Sequence, residues 1–238
     1  MNVVDICSIV IIILGALAGF KKGAIKGLIQ LIGLIAIVIV SYQFKGYFAN
    51  IMIKYLPFFN FSGPLKDLYA INFLIYEGIA FVVIFILLYC VLNILINLSG
   101  IIDLLIKMTI ILEIPSKIIG IVIGAIESLM FVFVIAFALL QVGPTQKYIM
   151  ESNFTRKIVE RTPIVNSVFA QGIVASEEIY NTIKESQDAE NKTEANLNII
   201  RSLIRFGVVD ARDIQIAINA NKLPGLSNVV VASGDING

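Results

Sequence analysis

The feature of this chain that most constrains its fold is a run of glycines, one every four residues, within its first apolar stretch. The glycines are Gly15, Gly19, Gly23 and Gly27, and the charged residues among them are Lys21, Lys22 and Lys26. In lipid, the hydrophobic effect provides little driving force for helix association, so close backbone approach at small residues provides the packing energy. The pattern predicts a membrane helix with a glycine groove, ending at the lysines and followed by a second helix. A hairpin at Lys21–Gly23 is favoured over one bent helix, because a straight helix from Val3 to Tyr42 would be about 60 Å long, about twice the hydrocarbon thickness.

The composition supports a membrane protein and argues against several other classes. Of 238 residues, 58% are hydrophobic and 15% are charged, with a mean hydropathy of +0.91. A net charge of +1 argues against a nucleic-acid partner. The sequence has no histidine, which removes Ser–His and Cys–His nucleophile pairs and the commonest nitrogen ligand of zinc, copper and haem. We therefore expect no enzyme activity, catalytic residue, cofactor or metal, and we expect Cys7 and Cys90, in apolar runs without C-x-x-C spacing, to pack as small apolar side chains.

Four apolar runs are long enough to cross a bilayer, which takes about 20 residues. They are Val3–Phe20, Ala24–Tyr42, Phe73–Leu98 and Ile118–Val142. We expect the first to be an uncleaved span and not a signal peptide, because Asp5 precedes its apolar core and the lysines follow it. The predicted fold class is an all-α polytopic membrane protein.

Two shorter segments are patterned but too short to span. Residues 44–56 place aromatic and apolar side chains on one helical face, which indicates an interfacial helix or, equally, a loop helix packed on the protein's own surface. These side chains are Phe44, Tyr47, Phe48, Ile51 and Tyr55. The other segment, Ile101–Ile114, contains an i, i+4 pair of Asp103 and Lys107 and is predicted to be interfacial or re-entrant.

The composition changes at Gly143-Pro144, beyond which charges are interspersed along the sequence. We predict a membrane domain over 1–143 and a small soluble helical tail over 144–238. An apolar stripe from Ile199 to Ile204 predicts a tail helix that ends near Gly207, and Asp210 is the predicted cap of the next helix. Acidic and basic residues balance there, which argues against DNA binding.

Polar residues inside apolar runs are costly in lipid and are therefore the candidate functional residues. They are Lys26, Gln30, Asn93, Asn97 and Glu127. Asn93 and Asn97 share a helical face, which favours hydrogen bonds between helices over ligand binding.

Glu127 lies well inside the fourth predicted span. A carboxylate there takes up a proton, pairs with a cation or makes a structural bond between helices, and we favour the structural role. For pairing with a cation, the candidate partners are Lys26 and Lys117. Glu77, near the end of a span, is expected to face headgroups.

The order of these residues resembles a known family. Asp5, then Gly15 and Gly19, then Lys22-Gly23 and Lys26 before a second apolar span, is similar to the amino-terminal signature of the colicin V production (CvpA) family of small bacterial inner-membrane proteins. The run from Lys117 to Gly124 resembles that family's last-span signature, in which a basic residue precedes two glycines four apart, here Gly120 and Gly124.

The resemblance covers about Met1 to Val142 and includes three departures. Lysine replaces the usual arginine before Gly23, Ser116 stands where aspartate is common, and Glu127 takes a place often held by arginine. The resemblance implies a four-span plasma-membrane protein linked to toxin production or export and to envelope physiology. It implies no settled biochemical activity.

Two functional classes follow. One is a membrane scaffold or accessory factor whose spans pack through glycine grooves, Gly120 and Gly124 included, and whose tail binds a protein partner or a second copy. The other is a small oligomeric channel or transporter that uses Glu127. The lysines of the first turn predict an external amino terminus and tail, against the later Lys45, Lys54 and Lys66.

Overall fold

The computed structural model describes residues 2–98, 113–162, 165–189 and 191–226, and the regular structure in these ranges is helical. The elements are α1 (Val3–Lys22), α2 (Ala24–Tyr55), a 3-10 turn (Gly63–Leu65), α3 (Ile71–Leu98), α4 (Glu113–Gln141), α5 (Gly143–Met150), α6 (Thr155–Arg161), α7 (Val165–Glu185), α8 (Thr193–Arg205) and α9 (Ala211–Asn219). Four of these helices, α1 to α4, have the length and apolar composition of membrane spans. The prediction of an all-α polytopic membrane protein is confirmed.

The helix bounds differ from the predicted spans, most of all in α2. The second span was predicted to end at Tyr42, but α2 continues to Tyr55 as one helix. The sequence changes there from aliphatic to aromatic and polar, yet no proline precedes Pro57, and helical hydrogen bonds do not depend on the polarity of side chains. Residues 44–56 are therefore not a separate helix. The predicted segment Ile101–Ile114 falls largely on residues 99–112, outside the described residues.

Gly23 is the one residue between α1 and α2, and it breaks the helix. Its φ of 75° and ψ of 172° lie far from helical values, in a region that an L side chain rarely adopts. The new helix is tied at its start, because the backbone N–H of Ala24 donates to Ser116 Oγ at 3.0 Å. One continuous bent helix is excluded.

The described contacts divide the chain into two compact units. Unit 1 comprises Met1–Gln43, Val82–Ala136 and Glu151–Asn166, and so holds α1, α6 and parts of α2, α3 and α4. Many of its large apolar side chains are exposed, such as Leu14 at 59% and Ile32 at 60%. Such exposure is what a lipid-facing surface requires, because a bilayer solvates apolar side chains.

Unit 2 comprises Phe44–Phe81, Phe137–Met150 and Ser167–Gly238, and it has a continuous hydrophobic core. Ile199, Leu203 and Ile214 of the tail are buried in the same cluster as Ile53 and Leu68. The predicted boundary at Gly143 does not coincide with this division. The sequence predicts a tail that folds separately, which is untested; from the shared core we expect instead that the tail needs residues 49–80 to fold.

The predicted helix ends within the tail are confirmed. α8 ends before Gly207, whose φ of 62° lies in the left-handed region. Asp210 is the N-cap of α9, and its carboxylate accepts the N–H of Arg212 at 2.9 Å.

Candidate functional site

In unit 1, α1 and α4 cross with their backbones in contact at glycines. A Cβ atom built on Gly19 would lie 2.1 Å from the carbonyl oxygen of Gly120, and one on Gly124 would lie 2.3 Å from that of Gly15. Gly15 contacts Gly124, and Gly19, one turn later in α1, contacts Gly120, one turn earlier in α4, so the two helices run antiparallel. No other residue type permits this approach without displacing a backbone.

The remaining glycines of the first series lie beside the same helix. A Cβ on Gly27 would meet the side chain of Ile123 at 3.0 Å, and Gly23 Cα lies 3.1 Å from the Cβ position of Gly120. We call this contact the glycine crossing, and its members are Gly15, Gly19, Gly23, Gly27, Gly120 and Gly124.

An ion pair lies beside the glycine crossing. Lys22 Nζ, at the end of α1, is 3.2 Å from both carboxylate oxygens of Glu127 on α4. The Glu127 side chain is 7% exposed and that of Lys22 is 31% exposed, so the lysine keeps contact with the surroundings while neutralising a buried carboxylate. The next residue, Ser128, donates its hydroxyl to the carbonyl of Gly124 at 2.8 Å, and a Cβ on Gly15 would collide with it.

The described ion pair of Glu127 is made by Lys22, which was not one of the two candidate partners, Lys26 and Lys117. Lys26 is half-buried on α2, and Lys117 Nζ lies over the Phe20 ring at 6.0 Å. The sequence placed Lys22 at the end of the first helix and indicated no partner for it. A lysine side chain at a helix end can reach back along an antiparallel neighbour.

Asp5 is a second polar centre of unit 1, and sequence reasoning assigned it no role beyond preceding the first span. Its side chain is fully buried. Oδ1 accepts the hydroxyl of Ser152 and the backbone N–H groups of Phe154 and Thr155, each N–H at 3.1 Å. Oδ2 accepts the N–H of Asn2 at 3.1 Å, as half of a capping box. One carboxylate thus links the start of α1 to the start of α6, some 150 residues later.

Unit 2 contains its own buried ion pair. Lys45 on α2 donates to Glu77 on α3, and the two side chains are 7% and 1% exposed. The expectation that Glu77 faces headgroups is wrong, and Lys45 does not lie in a loop. Lys45 was misplaced because the predicted second span ended at Tyr42, whereas α2 continues to Tyr55. Glu77 was misplaced because its partner on this part of α2 was not predicted.

The other candidate polar residues of the spans do not bridge helices in the described contacts. Asn93 donates its amide to the carbonyl of Tyr89, one turn earlier in α3, at 2.8 Å. An asparagine can bond to its own helix in this way. The predicted interhelical bond of Asn93 is not among the described contacts and stays a prediction. The side chain of Asn97 lies outside the described residues. Gln30 Oε1 is buried and has no hydrogen-bond partner among the described residues.

The cysteines and acidic residues form no recognisable reactive cluster within the described ranges. Cys7 and Cys90 are free thiols. No group of three or more Cys, Asp or Glu residues in the described part of the chain is arranged to hold a metal ion. The chemistry visible in these ranges is charge pairing and helix packing.

Comparison with known proteins gives one match. The family model described as "Colicin V production protein" matches residues 4–171. The matched region includes the glycine crossing, both ion pairs and the Asp5 centre. It also extends past Val142, where the resemblance seen in the sequence ended. No curated protein and no solved structure matches the chain.

Proposed function

As the chain belongs to the colicin V production protein family, we propose that this multi-pass membrane protein is a plasma-membrane scaffold or accessory factor in the production or export of a colicin V-type toxin and in envelope physiology. The observation that carries the proposal is the pairing of charges within apolar helices. Glu127 is neutralised by Lys22, and Glu77 by Lys45.

Paired charges favour a structural role over a transport role. A carboxylate that carries ions or protons must exchange partners during each cycle, so it is expected to face a water-filled path. Glu127 instead contacts a lysine of a neighbouring helix beside backbones that are already in contact. Removing one member of such a pair would leave a buried charge without compensation.

Unit 2 is the proposed binding region for a protein partner or a second copy. Its core is formed jointly by the tail and by residues 49–80, so the tail is held in a fixed shape. A fixed surface next to a membrane is suited to recruiting another protein, because little conformational entropy is lost on binding.

The alternative is a small oligomeric channel or transporter that uses Glu127. Gln30 Oε1 and Ser41 Oγ, on α2 in unit 1, support it, because both are buried without a partner among the described residues. Buried polar atoms of this kind often bind water.

Two measurements on the full chain separate these functions. The first is ion or proton flux in proteoliposomes, for which we expect no excess over empty vesicles. The second is photo-crosslinking in toxin-producing cells from Val174, an exposed residue of α7, with the exposed span residue Ile32 as the control. We expect Val174, and not Ile32, to crosslink to a component of the toxin export machinery. Flux that disappears in Glu127→Gln would instead establish the channel.

We also propose that the amino terminus and the tail are external, from the lysines of the first turn. The Asp5 contacts require that Asn2 and Thr155 lie on the same side of the membrane. Reporters fused at the amino terminus and after Lys184 should therefore agree with each other and report the external side. A cytoplasmic signal from the Lys184 fusion would reverse the orientation.

A further inference from the structure

α2 is longer than a helix that only crosses the hydrocarbon of a bilayer. It contains 32 residues, so it is about 48 Å long, against about 30 Å of hydrocarbon. At the average tilt of about 20°, such a helix covers about 45 Å of depth, which is the thickness of a bilayer with both headgroup layers. If Ala24 lies in one headgroup layer beside Lys22 and Lys26, Tyr55, about 46 Å further along the helix, lies in the opposite headgroup layer. The segment from Phe44 to Tyr55 then runs from the outer part of the hydrocarbon into that layer.

The last part of α2 presents exposed aromatic and apolar side chains. We call this surface the aromatic face, and its members are Phe44 (51% exposed), Tyr47 (71%), Phe48 (46%), Ile51 (58%) and Tyr55 (71%). The rings of Phe44 and Tyr47 have centroids 6.1 Å apart, and Lys54 Nζ lies 5.3 Å from the centre of the Tyr55 ring. Phenol rings beside a lysine are typical of the headgroup boundary, where one end of the side chain is apolar and the other is hydrated.

The opposite side of the same helix segment is occupied by unit 2 itself. Ala49 and Ile53 are buried in its core, and Lys45 pairs with Glu77. Lys222 of the tail donates to the carbonyl oxygens of Lys54 and Leu56, each at 3.0 Å, at the end of α2. The aromatic face therefore is not needed for the core of unit 2, and a face this apolar is not expected in water.

We propose that the aromatic face is seated at the boundary between the hydrocarbon and the headgroups of the bilayer, on the side where α2 ends. The occupant is lipid because the aromatic face belongs to a helix that crosses the hydrocarbon. The face lies where that helix leaves the hydrocarbon. This inference does not depend on the scaffold function.

The chain has no tryptophan, so a single introduced tryptophan reports the depth of its own position. Tyr47→Trp and Tyr55→Trp probe the aromatic face, and Ile32→Trp, an exposed position within the span, is the depth control. The full chain is reconstituted in phosphatidylcholine–phosphatidylglycerol vesicles. Quenching is compared for lipids brominated near the glycerol end, for lipids brominated near the methyl end, and for iodide in the buffer.

We expect both aromatic-face variants to emit at blue-shifted wavelengths and to be quenched more by bromines near the glycerol end, while Ile32→Trp is quenched more by bromines near the methyl end. Absence of lipid quenching at both Tyr47→Trp and Tyr55→Trp would overturn the proposal. Iodide quenching would then place the face in water. Protection from both quenchers, relieved when the lipid-to-protein ratio is raised, would place a second copy there.

Discussion

At the residue scale, the helices of unit 1 are held together by close backbone contacts at glycines and by hydrogen bonds to one buried carboxylate. Gly19 and Gly120 bring two backbones into contact, and Asp5 Oδ1 accepts hydrogen bonds from Ser152, Phe154 and Thr155. Each of these contacts joins segments that are far apart in the sequence. The stability of unit 1 should therefore be sensitive to very small substitutions at these positions.

The smallest test of the glycine crossing is Gly19→Ala. The added Cβ would lie 2.1 Å from the Gly120 carbonyl oxygen, so we expect a loss of about 1–3 kcal/mol from overpacking. Gly46→Ala is the matched control, because its Cβ meets only Glu77 Oε1 at 3.8 Å, and alanine favours a helix. Thermal unfolding in detergent and abundance in the membrane are the measurements. Equal stability of the two variants would exclude the packing role.

The Asp5 centre is tested by Asp5→Asn. The substitution removes the charge that strengthens bonds from Ser152 and two backbone N–H groups, and we expect a loss of about 1.5–3 kcal/mol. The control is Asp188→Asn, an exposed aspartate of the tail, which should change stability little. A wild-type melting temperature for Asp5→Asn would contradict the assignment of Asp5 as a structural hub.

The sequence identified the unusual residues better than it identified their partners. The glycine spacing and the carboxylate of Glu127 were visible because each is atypical of an apolar run. The pairing of Glu127 with Lys22 depends on where α1 ends and on how α1 crosses α4, and a single sequence specifies neither. Asp5 was overlooked for the same reason, since its donors lie some 150 residues away.

At the scale of elements, helix ends were predictable where a cap marks them and were not where composition changes without one. Gly23 and Asp210 mark ends that the structure has. At Tyr42 the polarity changes but no helix breaker follows until Pro57, so α2 continues. The aromatic segment is therefore the last part of α2 and not the separate helix that its composition predicts.

The cap of α9 gives a prediction about pH. The hydrogen bonds from Arg212 hold the pKa of Asp210 below its usual value. Its stabilisation is therefore complete above the unfolded value of about 3.9 and is lost as the pH falls through the lower folded value. Asp210→Asn keeps a good N-cap, so it should be less stable than wild type by under about 1 kcal/mol at neutral pH. That difference should shrink in acid.

Asp213 is the control, because its pKa is shifted in the opposite direction. Burial, together with the charge of Asp210, raises its pKa, so its ionised form disfavours the folded state above the unfolded value. Asp213→Asn should therefore stabilise the protein at neutral pH and lose that advantage in acid. Melting curves of the two variants across the acidic range are the measurement, and parallel curves would contradict both assignments.

At the scale of the whole molecule, the tail and residues 49–80 form one core, although the sequence suggested a boundary at Gly143. Charge density marked where the apolar spans end, but it does not report which segments fold together. We expect fragment 144–238 to be unfolded when expressed alone and to become protease-resistant when co-expressed with residues 1–143. A fragment that is folded and soluble by itself would restore the boundary at Gly143.

In the proposed function, Glu127 belongs to a structural ion pair and not to a transport path. The most direct test is toxin export by cells that carry Lys22→Met, Glu127→Gln or both in place of the wild type. The single variant Lys22→Met leaves a buried carboxylate uncompensated, so we expect reduced abundance and reduced export. The double variant removes both charges, and we expect abundance and export to return close to wild type. A double variant of normal abundance that exports no toxin would contradict the structural role and indicate that the carboxylate itself acts in transport.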